Sequence, residues 1–307
     1  MESRKKIMIV GSLNMDAVIN VQVIPKAGET VMGSDIEKVP GGKGANQAYA
    51  AGKLGGDVVM LGVVGNDENG GALIDSLYKE AGVKTRYISR ESCVDTGTAY
   101  IYVQSDGNNC IVVSPGANKR CDLQYMREQE QRLGECDILL MQFEIPMETV
   151  EYVLKTANKM GKQVILNPAP APGILSSEML KYVDILIPNE TELEIITGRE
   201  WDRDLDKLEA MCRGLLEKGV GNVIVTLGEE GCFLAGRECK HFPAYKVEAV
   251  DTTAAGDTFS GALAVMLAEN KTMEEAIRFA MKASAIAVQR KGAQLSIPSR
   301  IEVEQYE

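Results

Sequence analysis

The chain has 307 residues, 45% of them hydrophobic and 25% charged, a composition typical of a globular protein with a large core. Its formal net charge of −11 argues against nucleic acid and anionic membranes as partners, and no apolar run approaches the roughly 20 residues of a membrane span, so we expect a cytoplasmic protein that acts on small molecules. Seven cysteines without a C-x-x-C pair and a single histidine, His241, argue against a disulfide framework, a zinc site or a multi-histidine metal site, so we expect reduced thiols and acid–base chemistry by carboxylates.

The chain begins with a basic cluster followed by only a short apolar run, a pattern that does not fit a signal peptide. That run is the first of six short strand-like segments that alternate with helical patterns. The six segments are 6–10, 57–61, 137–141, 163–167, 184–187 and 222–227. Because they are nearly continuous in apolar residues, we expect an α/β fold with a doubly wound, mostly parallel sheet flanked by helices. Asp122, as the cap of a helix to about residue 133, and the capping box of Thr272 and Glu275 support this.

Two stretches, 17–39 and 98–113, break this alternation. Both show period-two patterning around turn residues, at 25–29 and at 106–109, with no helical pattern between the strands. We expect them to leave a single α/β domain, spanning 1–307, as a small antiparallel β lid. Because a small sheet with one apolar face needs a cover, we expect a homodimer that pairs two lids; two surface hairpins on a monomer are the alternative.

Polar residues follow most of the predicted core strands. The positions are Asn14, Asp16, Gln142, Glu144, Asn167, Asn189, Glu192, Thr226 and Gly228. Each one alone is consistent with a helix cap or a turn. Because ligands of open α/β sheets bind beyond the carboxyl ends of the strands, the set as a whole favours a single binding site at that edge.

The segment PGGKGANQAYAAGKLGG at 40–56 places glycines directly before a helix rich in alanine. Gly42 permits close backbone approach, and the free N–H groups of the helix start, with Lys43 and Asn46 in its first turn, favour a polar ligand. The segment is neither a Walker A loop nor a G-x-G-x-x-G turn, since Gln47 stands where the third glycine should be, which counts against nicotinamide chemistry. The alternative is that the glycines only begin a tightly packed helix.

The stretch VDTTAAGDTFSG at 250–261 sets small residues before one carboxylate. If Ala254, Ala255 and Gly256 turn into a helix, their lack of bulk lets backbone N–H groups and the helix dipole face an anion, such as a phosphoryl group. Asp257 would then take a proton from an attacking hydroxyl. The alternative is that Asp257 only caps the helix.

Five ordered motifs together resemble the ribokinase-like (PfkB) family of carbohydrate kinases over residues 7–298. They are GSLNMD at 11–16, GGKGANQA at 41–48, NPAPA at 167–171, NETE at 189–192 and DTTAAGDTFSGAL at 251–263. The resemblance implies transfer of the γ-phosphate of ATP to the 5-hydroxyl of D-ribose, with Asp257 as the base and residues 254–256 as the anion hole. It also implies that the sugar hydroxyls are held by Asn14, Asp16, Gly42, Lys43, Asn46 and Glu144.

The same resemblance implies nucleotide and metal sites. The nucleotide would be bound by Asn189, Thr226, Gly228, Gly231, Gly256 and Met281. Glu192 would help to organise Mg²⁺, commonly through water. An activating K⁺ would be held beside the anion hole by Asp251, Thr253, Ala287, Arg290, Gly292 and Ser296. A cation there would order the turn and add positive potential where negative charge is concentrated.

Two positions depart from the family's pattern. The more common G-A-G-D reads A-A-G-D here, which we expect to be tolerated because Ala254 need not adopt a positive φ. Met281 aligns where related enzymes often have Asn or His beside adenine, so selection of ATP over GTP would depend on shape or backbone contacts. A kinase for deoxyribose, a nucleoside or another furanose is the alternative enzyme, although the stretch 12–16 favours ribose. A catalytically silent sugar-binding regulator and a dehydrogenase are alternatives from other classes.

Overall fold

The computed structural model describes residues 4–105 and 108–306 and arranges their strands in a sheet of nine and a sheet of four. The strands are β1 (Lys6–Val10), β2 (Asn14–Val21), β3 (Glu37–Gly41), β4 (Asp57–Gly65), β5 (Lys84–Glu91), β6 (Gly97–Gln104), β7 (Asn109–Ser114), β8 (Ile138–Met141), β9 (Gln163–Leu166), β10 (Ile185–Leu186), β11 (Asn222–Thr226), β12 (Cys232–Ala235) and β13 (Cys239–Phe242). The helices are α1 (Lys43–Lys53), α2 (Glu68–Asp75), α3 (Leu123–Leu133), α4 (Met147–Lys159), α5 (Ser177–Leu180), α6 (Glu190–Thr197), α7 (Leu205–Glu217), α8 (Ala255–Ala268), α9 (Met273–Ala287) and α10 (Arg300–Glu304).

The larger sheet has the strand order β13-β12-β11-β10-β9-β8-β1-β4-β5. Its strands are parallel from β11 to β5, and β12 and β13 are added antiparallel at one edge. Alternate side chains of β1 enter two separate cores: Ile7 and Ile9 pack on the side of α1, α8 and α9, while Met8 and Val10 pack on the side of α3, α4 and α7. The prediction of a doubly wound, mostly parallel sheet is therefore confirmed.

The helix caps predicted from the sequence are present. Asp122 accepts hydrogen bonds from the backbone N–H groups of Gln124 and Tyr125 at the start of α3. Thr272 and Glu275 form the predicted capping box at the start of α9. Among the residues described, no helix combines the length and the apolar character needed to cross a bilayer.

The smaller sheet has the strand order β3-β2-β6-β7 and corresponds to the predicted lid. Its outer pairs are antiparallel, whereas the central pair, β2 and β6, is parallel. The reason is that β2 follows β1 and β6 follows β5, and these two core strands run in the same direction. The turn within 25–29 is present, with Glu29 N donating to Lys26 O at 2.9 Å. In the turn predicted at 106–109, Asp106 and Gly107 lie outside the described residues.

Candidate active site

The carboxyl ends of the central strands and the amino-terminal ends of α1 and α8 meet at one cluster of polar residues. Asp257, the third residue of α8, is buried there with 7% of its surface exposed. Its carboxylate accepts hydrogen bonds from Asn46 Nδ2 at 3.1 Å and Gln47 Nε2 at 2.9 Å, both from α1. Burial raises the pKa of Asp257, while the Lys43 ammonium and the two amide donors oppose the rise. A carboxyl group in this environment is suited to accept a proton from a ligand hydroxyl.

A second carboxylate, that of Glu144, lies against the start of α1. Its Oε2 atom accepts hydrogen bonds from Ser12 Oγ at 2.6 Å and from the Lys43 backbone N–H at 3.1 Å. Gly42 caps the helix with φ of 88°, and a Cβ at this position would lie 2.6 Å from Asn14 N. Only glycine therefore lets the helix start approach β2 so closely, and this approach brings the sugar-site residues predicted from the sequence together.

A third carboxylate, Asp16 on β2, completes a concentration of negative charge. Burial and the neighbouring charges of Glu144 and Asp257 raise the pKa of Asp16 to about 7. Burial alone would lower the pKa of Lys43, but the surrounding carboxylates, those of Asp257 and Glu144 foremost, outweigh it and raise that pKa. Several acidic groups thus share one lysine, and a ligand that brings hydrogen-bond donors would stabilise them.

Asn14 is held by a residue that no sequence pattern indicates. Asn118, in the short turn 116–120 that follows β7, donates from Nδ2 to Asn14 Oδ1 at 2.7 Å. The same amide pairs with both backbone groups of Leu13, at 2.9 Å from its N and 3.2 Å from its O. Since Asn118 occupies the oxygen of the Asn14 amide, the nitrogen of that amide is the donor left for a ligand.

The turn before α8 has the predicted small residues but not the predicted backbone. Ala254 caps the helix with φ of 60° and ψ of 10°, so the expectation that it need not adopt a positive φ is wrong. A left-handed residue here reverses the chain into α8, where the Ala254 carbonyl accepts the N–H of Thr258 at 2.8 Å. The N–H of Ala255 is bonded to Thr252 O at 3.2 Å, which leaves those of Gly256 and Asp257 as the helix-start donors without an intrahelical partner.

Asn189 and Glu192 form a capping box at the start of α6. Glu192 N donates to Asn189 Oδ1 at 2.8 Å, and Asn189 N donates to Glu192 Oε2 at 2.9 Å. Burial raises the pKa of Glu192, although this hydrogen bond and the charge of Lys43 act in the opposite direction. A bridge between Asn189 and Thr226, at the end of β11, places these residues on the same edge of the sheet. Sequence reasoning identified both residues of the box but not their reciprocal capping.

The remaining nucleotide-site candidates lie beyond β11. Gly228 begins the short turn 228–230. Gly231 has φ of 98°, and a Cβ there would collide with the Phe242 carbonyl oxygen. The close approach of β13 is therefore sufficient to require glycine at 231. Met281 on α9 is buried, and its Sδ lies 3.6 Å from Cys232 Sγ, next to Gly231 along the chain.

The two segments predicted to hold a monovalent cation lie side by side. Asp251 accepts the Thr253 N–H through Oδ1 and the Gly292 N–H through Oδ2, each at 2.9 Å. The Asp251 N–H also bonds to Val288 O at 3.1 Å. Burial would raise the pKa of Asp251, but these donors outweigh it and lower that pKa. The sequence-distant segments 251–253 and 287–292 are thus brought together beside the cap of α8.

The remaining predicted cation ligands are Arg290, Ala287 and Ser296. The Arg290 side chain forms an ion pair with Glu302 at 2.6 Å, so only its backbone is suited to contribute an oxygen. Ala287 ends α9, and Ser296 is buried in the turn 294–296 with its Oγ donating to Ala293 O. Within residues 4–105 and 108–306, no group of three or more His, Cys, Asp or Glu residues is arranged to hold a metal ion. A cation here would depend largely on carbonyl oxygens.

Comparison with known proteins agrees with this geometry. Residues 4–300 match the pfkB family of carbohydrate kinases. The chain is 42% identical to the ribokinase of Haemophilus influenzae over 97% of both chains, and 37% identical to the deoxyribokinase of Salmonella typhi over 98% of both. The solved structure of Arabidopsis thaliana ribokinase complexed with ribose and ATP matches with a TM-score of 0.92 at 33% identity, covering 99% of both chains. The similarity thus extends over both sheets.

Proposed function

The chain belongs to the pfkB family of carbohydrate kinases, and we propose that it transfers the γ-phosphate of ATP to the 5-hydroxyl of D-ribose, giving ribose 5-phosphate and ADP. The observation that carries the proposal is Asp257, a buried carboxyl group in the first turn of α8 that follows a turn of small residues. The choice of ribose and ATP is supported by the ribokinases to which the chain is similar along its length, one of them complexed with both compounds.

In the proposed reaction, Asp257 is the general base. Its carboxylate takes the proton of the 5-hydroxyl as the sugar oxygen bonds to the γ-phosphorus, and the bond from that phosphorus to the bridging oxygen breaks, releasing ADP. The N–H groups of Gly256 and Asp257, at the positive end of the α8 dipole, stabilise charge on the phosphoryl oxygens. Ala254 and Ala255 complete the anion hole by leaving room for the phosphoryl group.

The sugar is proposed to bind between β2, the start of α1 and Glu144. Its hydroxyls would contact Asn14, Asp16, Gly42, Lys43, Asn46 and Glu144. One supporting observation is that Asn46 Oδ1 is buried without a hydrogen-bond partner among the described residues, while Asn46 Nδ2 bonds to Asp257. A sugar hydroxyl would supply the missing donor, because buried polar atoms are costly when unpaired.

The nucleotide is proposed to lie along the carboxyl edge of the larger sheet. Its contacts would be Asn189, Thr226, Gly228 and Gly231, with Gly256 at the γ-phosphate and Met281 near the adenine. Mg²⁺, when bound, neutralises charge on the nucleotide phosphates. Glu192 fits a water-mediated role towards that ion, because the capping box uses Oε2 and leaves Oε1 outside it.

Potassium is proposed as an activator beside the anion hole, with ligands from Asp251, Thr253, Ala287, Arg290, Gly292 and Ser296. The proposal is supported by the hydrogen bond between Asp251 and Gly292, which joins the two segments next to Ala254. An ion there would steady the left-handed cap of α8 and add positive potential near the transferred group.

The four-stranded sheet is proposed to be the lid of a single catalytic domain and to pair with the lid of a second subunit. On β7, an edge strand of that sheet, Ile111, Val112 and Val113 are 52%, 57% and 48% exposed. A second lid packed against this strand would cover its edge and the exposed side chains of one face, giving a homodimer. The proposal includes a cytoplasmic location, where ATP and sugar are available and no nucleic acid or membrane partner is required.

ADP release is the measurement that tests the proposal. The purified protein is offered D-ribose, 2-deoxyribose, D-fructose or adenosine with Mg-ATP, in potassium and in sodium buffer. We expect ribose-dependent ADP that increases with potassium, and a loss of about 10²- to 10⁴-fold in turnover for Asp257→Asn with sugar binding retained. A preference for 2-deoxyribose would favour the alternative that the 37% identical deoxyribokinase raises, and sugar binding without ADP would indicate a regulator.

A further inference from the structure

A chain of side-chain amides lies behind Asp257 and ends on its carboxylate. Gln47 Nε2 donates to Asp257 Oδ1 at 2.9 Å and to Asn167 Oδ1 at 3.1 Å. Gln142 Nε2 donates to Gln47 Oε1 at 2.5 Å, and Asn167 Nδ2 donates to the Ile187 carbonyl at 2.8 Å. Gln47 and Gln142 have no exposed surface, and Asn167 is 7% exposed.

The orientation of every amide in this chain is determined by hydrogen-bond chemistry. The Ile187 carbonyl can only accept, so Asn167 must present its nitrogen to it and its oxygen to Gln47. Gln47 then has to direct its nitrogen towards the Asn167 oxygen and the Asp257 carboxylate. The oxygen of Gln47 is left for Gln142, whose nitrogen bonds it. A flip of Gln47 would place its oxygen against two other oxygens, so the donor to Asp257 is fixed by its partners.

We propose that Gln47 is a positioning residue for Asp257, an inference that rests on the proposed function: with Asn167 and Gln142 fixing its amide, Gln47 holds the carboxylate ionised and oriented for proton abstraction. Gln47 bonds one carboxylate oxygen and Asn46 the other, which fixes the plane of the group. Buried amides contribute little to stability that apolar side chains could not, but here Asn167 and Gln142 direct the Gln47 donor at the proposed base.

The charges around Asp257 would be unchanged by a substitution at Gln47. Lys43 at the start of α1 favours the ionised form of Asp257, and Glu144 after β8 disfavours it. Asp16 on β2 and Glu192 on α6 are further acidic groups that interact with it, each disfavouring its ionised form when itself ionised. Removing the Gln47 donor therefore raises the pKa of Asp257 further. Because the base acts when deprotonated, activity would be lost at a higher pH as the solution is acidified.

The test is the pH dependence of turnover at saturating sugar and Mg-ATP for Gln47→Met, which keeps the length of the side chain but removes the amide. We expect its acid limb to move up by about 1 to 2 pH units, since this is the effect of one hydrogen bond to a charged group. The sugar KM should change by less than about threefold, because the proposed sugar contacts remain. Gln142→Met removes one of the two groups that fix the Gln47 amide and leaves the donor to Asp257 in place, so it should move the acid limb in the same direction by less.

Thr149→Val is the matched control, since Thr149 is also fully buried and its hydroxyl has no partner among the described residues. Its acid limb should coincide with that of the unsubstituted enzyme. Thermal unfolding of all variants identifies a folding defect, and Gln142→Met keeps the inference testable if Gln47→Met does not fold. A profile of Gln47→Met or Gln142→Met that is lowered equally at every pH, or not at all, would overturn the inference.

A failure of the proposed function can be distinguished from a failure of the inference about Gln47. If the unsubstituted enzyme phosphorylates another acceptor and not ribose, the comparison of pH profiles is made with that acceptor. An infrared titration of the Asp257 carboxyl band, assigned by its loss in Asp257→Asn, needs no substrate at all. A higher titration midpoint in Gln47→Met supports the inference even in an inactive protein, and an unchanged midpoint refutes it.

Discussion

Replacing Asp16 by asparagine should stabilise the empty protein, and the stabilisation should grow as the pH rises. Burial and two neighbouring carboxylates raise the pKa of Asp16 from 3.8 to about 7 in the folded state. Between these values the folded protein binds more protons than the unfolded chain. The contribution of Asp16 to the free energy of unfolding is therefore fully present below pH 3.8 and is lost as the pH rises through about 7.

The magnitude follows from the difference between the two pKa values. Once Asp16 is ionised in both states, a difference of about 3 units corresponds to about 4 kcal/mol of unfolding free energy. At about pH 5, where chiefly the unfolded chain is ionised, the corresponding penalty is about 1.6 kcal/mol. Asparagine carries neither penalty, so the gain from Asp16→Asn should increase by roughly 3 kcal/mol between about pH 5 and about pH 8.

Urea unfolding of the sugar-free protein at both pH values measures this gain directly. Asp35→Asn, at an exposed aspartate in the connection after β2, controls for the loss of one negative charge from the chain. Turnover with ribose should be lost in Asp16→Asn, because the stabilised variant lacks a carboxylate that is proposed to bind the sugar. An equal gain at the two pH values would refute the reasoning, since it would mean that the folded state does not hold Asp16 protonated.

Three further substitutions test the geometry. Ala254→Gly should stabilise the protein by about 1 kcal/mol in thermal unfolding, because it relieves a left-handed alanine, and an unchanged or lower stability would contradict this. Gly42→Ala should lower the free energy of unfolding by about 3 kcal/mol or more and abolish sugar binding, because the added Cβ would lie 2.6 Å from Asn14 N. Sugar binding that is retained in calorimetry would contradict this. Asn118→Leu should lower the free energy of unfolding by about 3 kcal/mol and raise the sugar KM about tenfold, because it leaves buried polar groups of Leu13 and Asn14 unpaired. An unchanged KM would show that Asn118 does not position Asn14.

The core of the fold was predictable because buried parallel strands have a strong local signal. The run at 6–10 coincides with β1, whereas the run at 57–61 continues to Gly65 as β4. The run at 184–187 yields only Ile185–Leu186 as β10. The parallel pairing of β2 with β6 could not be read from local patterns, since it depends on the directions of β1 and β5 in another sheet. Pairing partners are a long-range property, and alternation alone does not reveal them.

The sequence indicates candidate residues for the site but not the partners that hold them. Asn14 could be identified because it follows a core strand, but its holder, Asn118, is more than a hundred residues away in a turn with no pattern of its own. The left-handed backbone of Ala254 could not be predicted either, because alanine rarely adopts this conformation and the residue type therefore does not indicate it.

Polar side chains at this edge of the sheet differ in how far the fold itself satisfies their hydrogen-bonding groups and their charge. The amide nitrogens of Gln142 and Asn167 donate within the fold, to Gln47 and to the Ile187 carbonyl. The carboxylates of Asp16 and Glu144 only accept when ionised, and one lysine cannot neutralise them together with Asp257. Their excess charge needs a ligand rich in donors but without charge, which describes a sugar, whereas phosphates would add to the repulsion. In the proposed arrangement the phosphates would therefore lie nearer the start of α8, where the helix dipole and the proposed cation would compensate their charge.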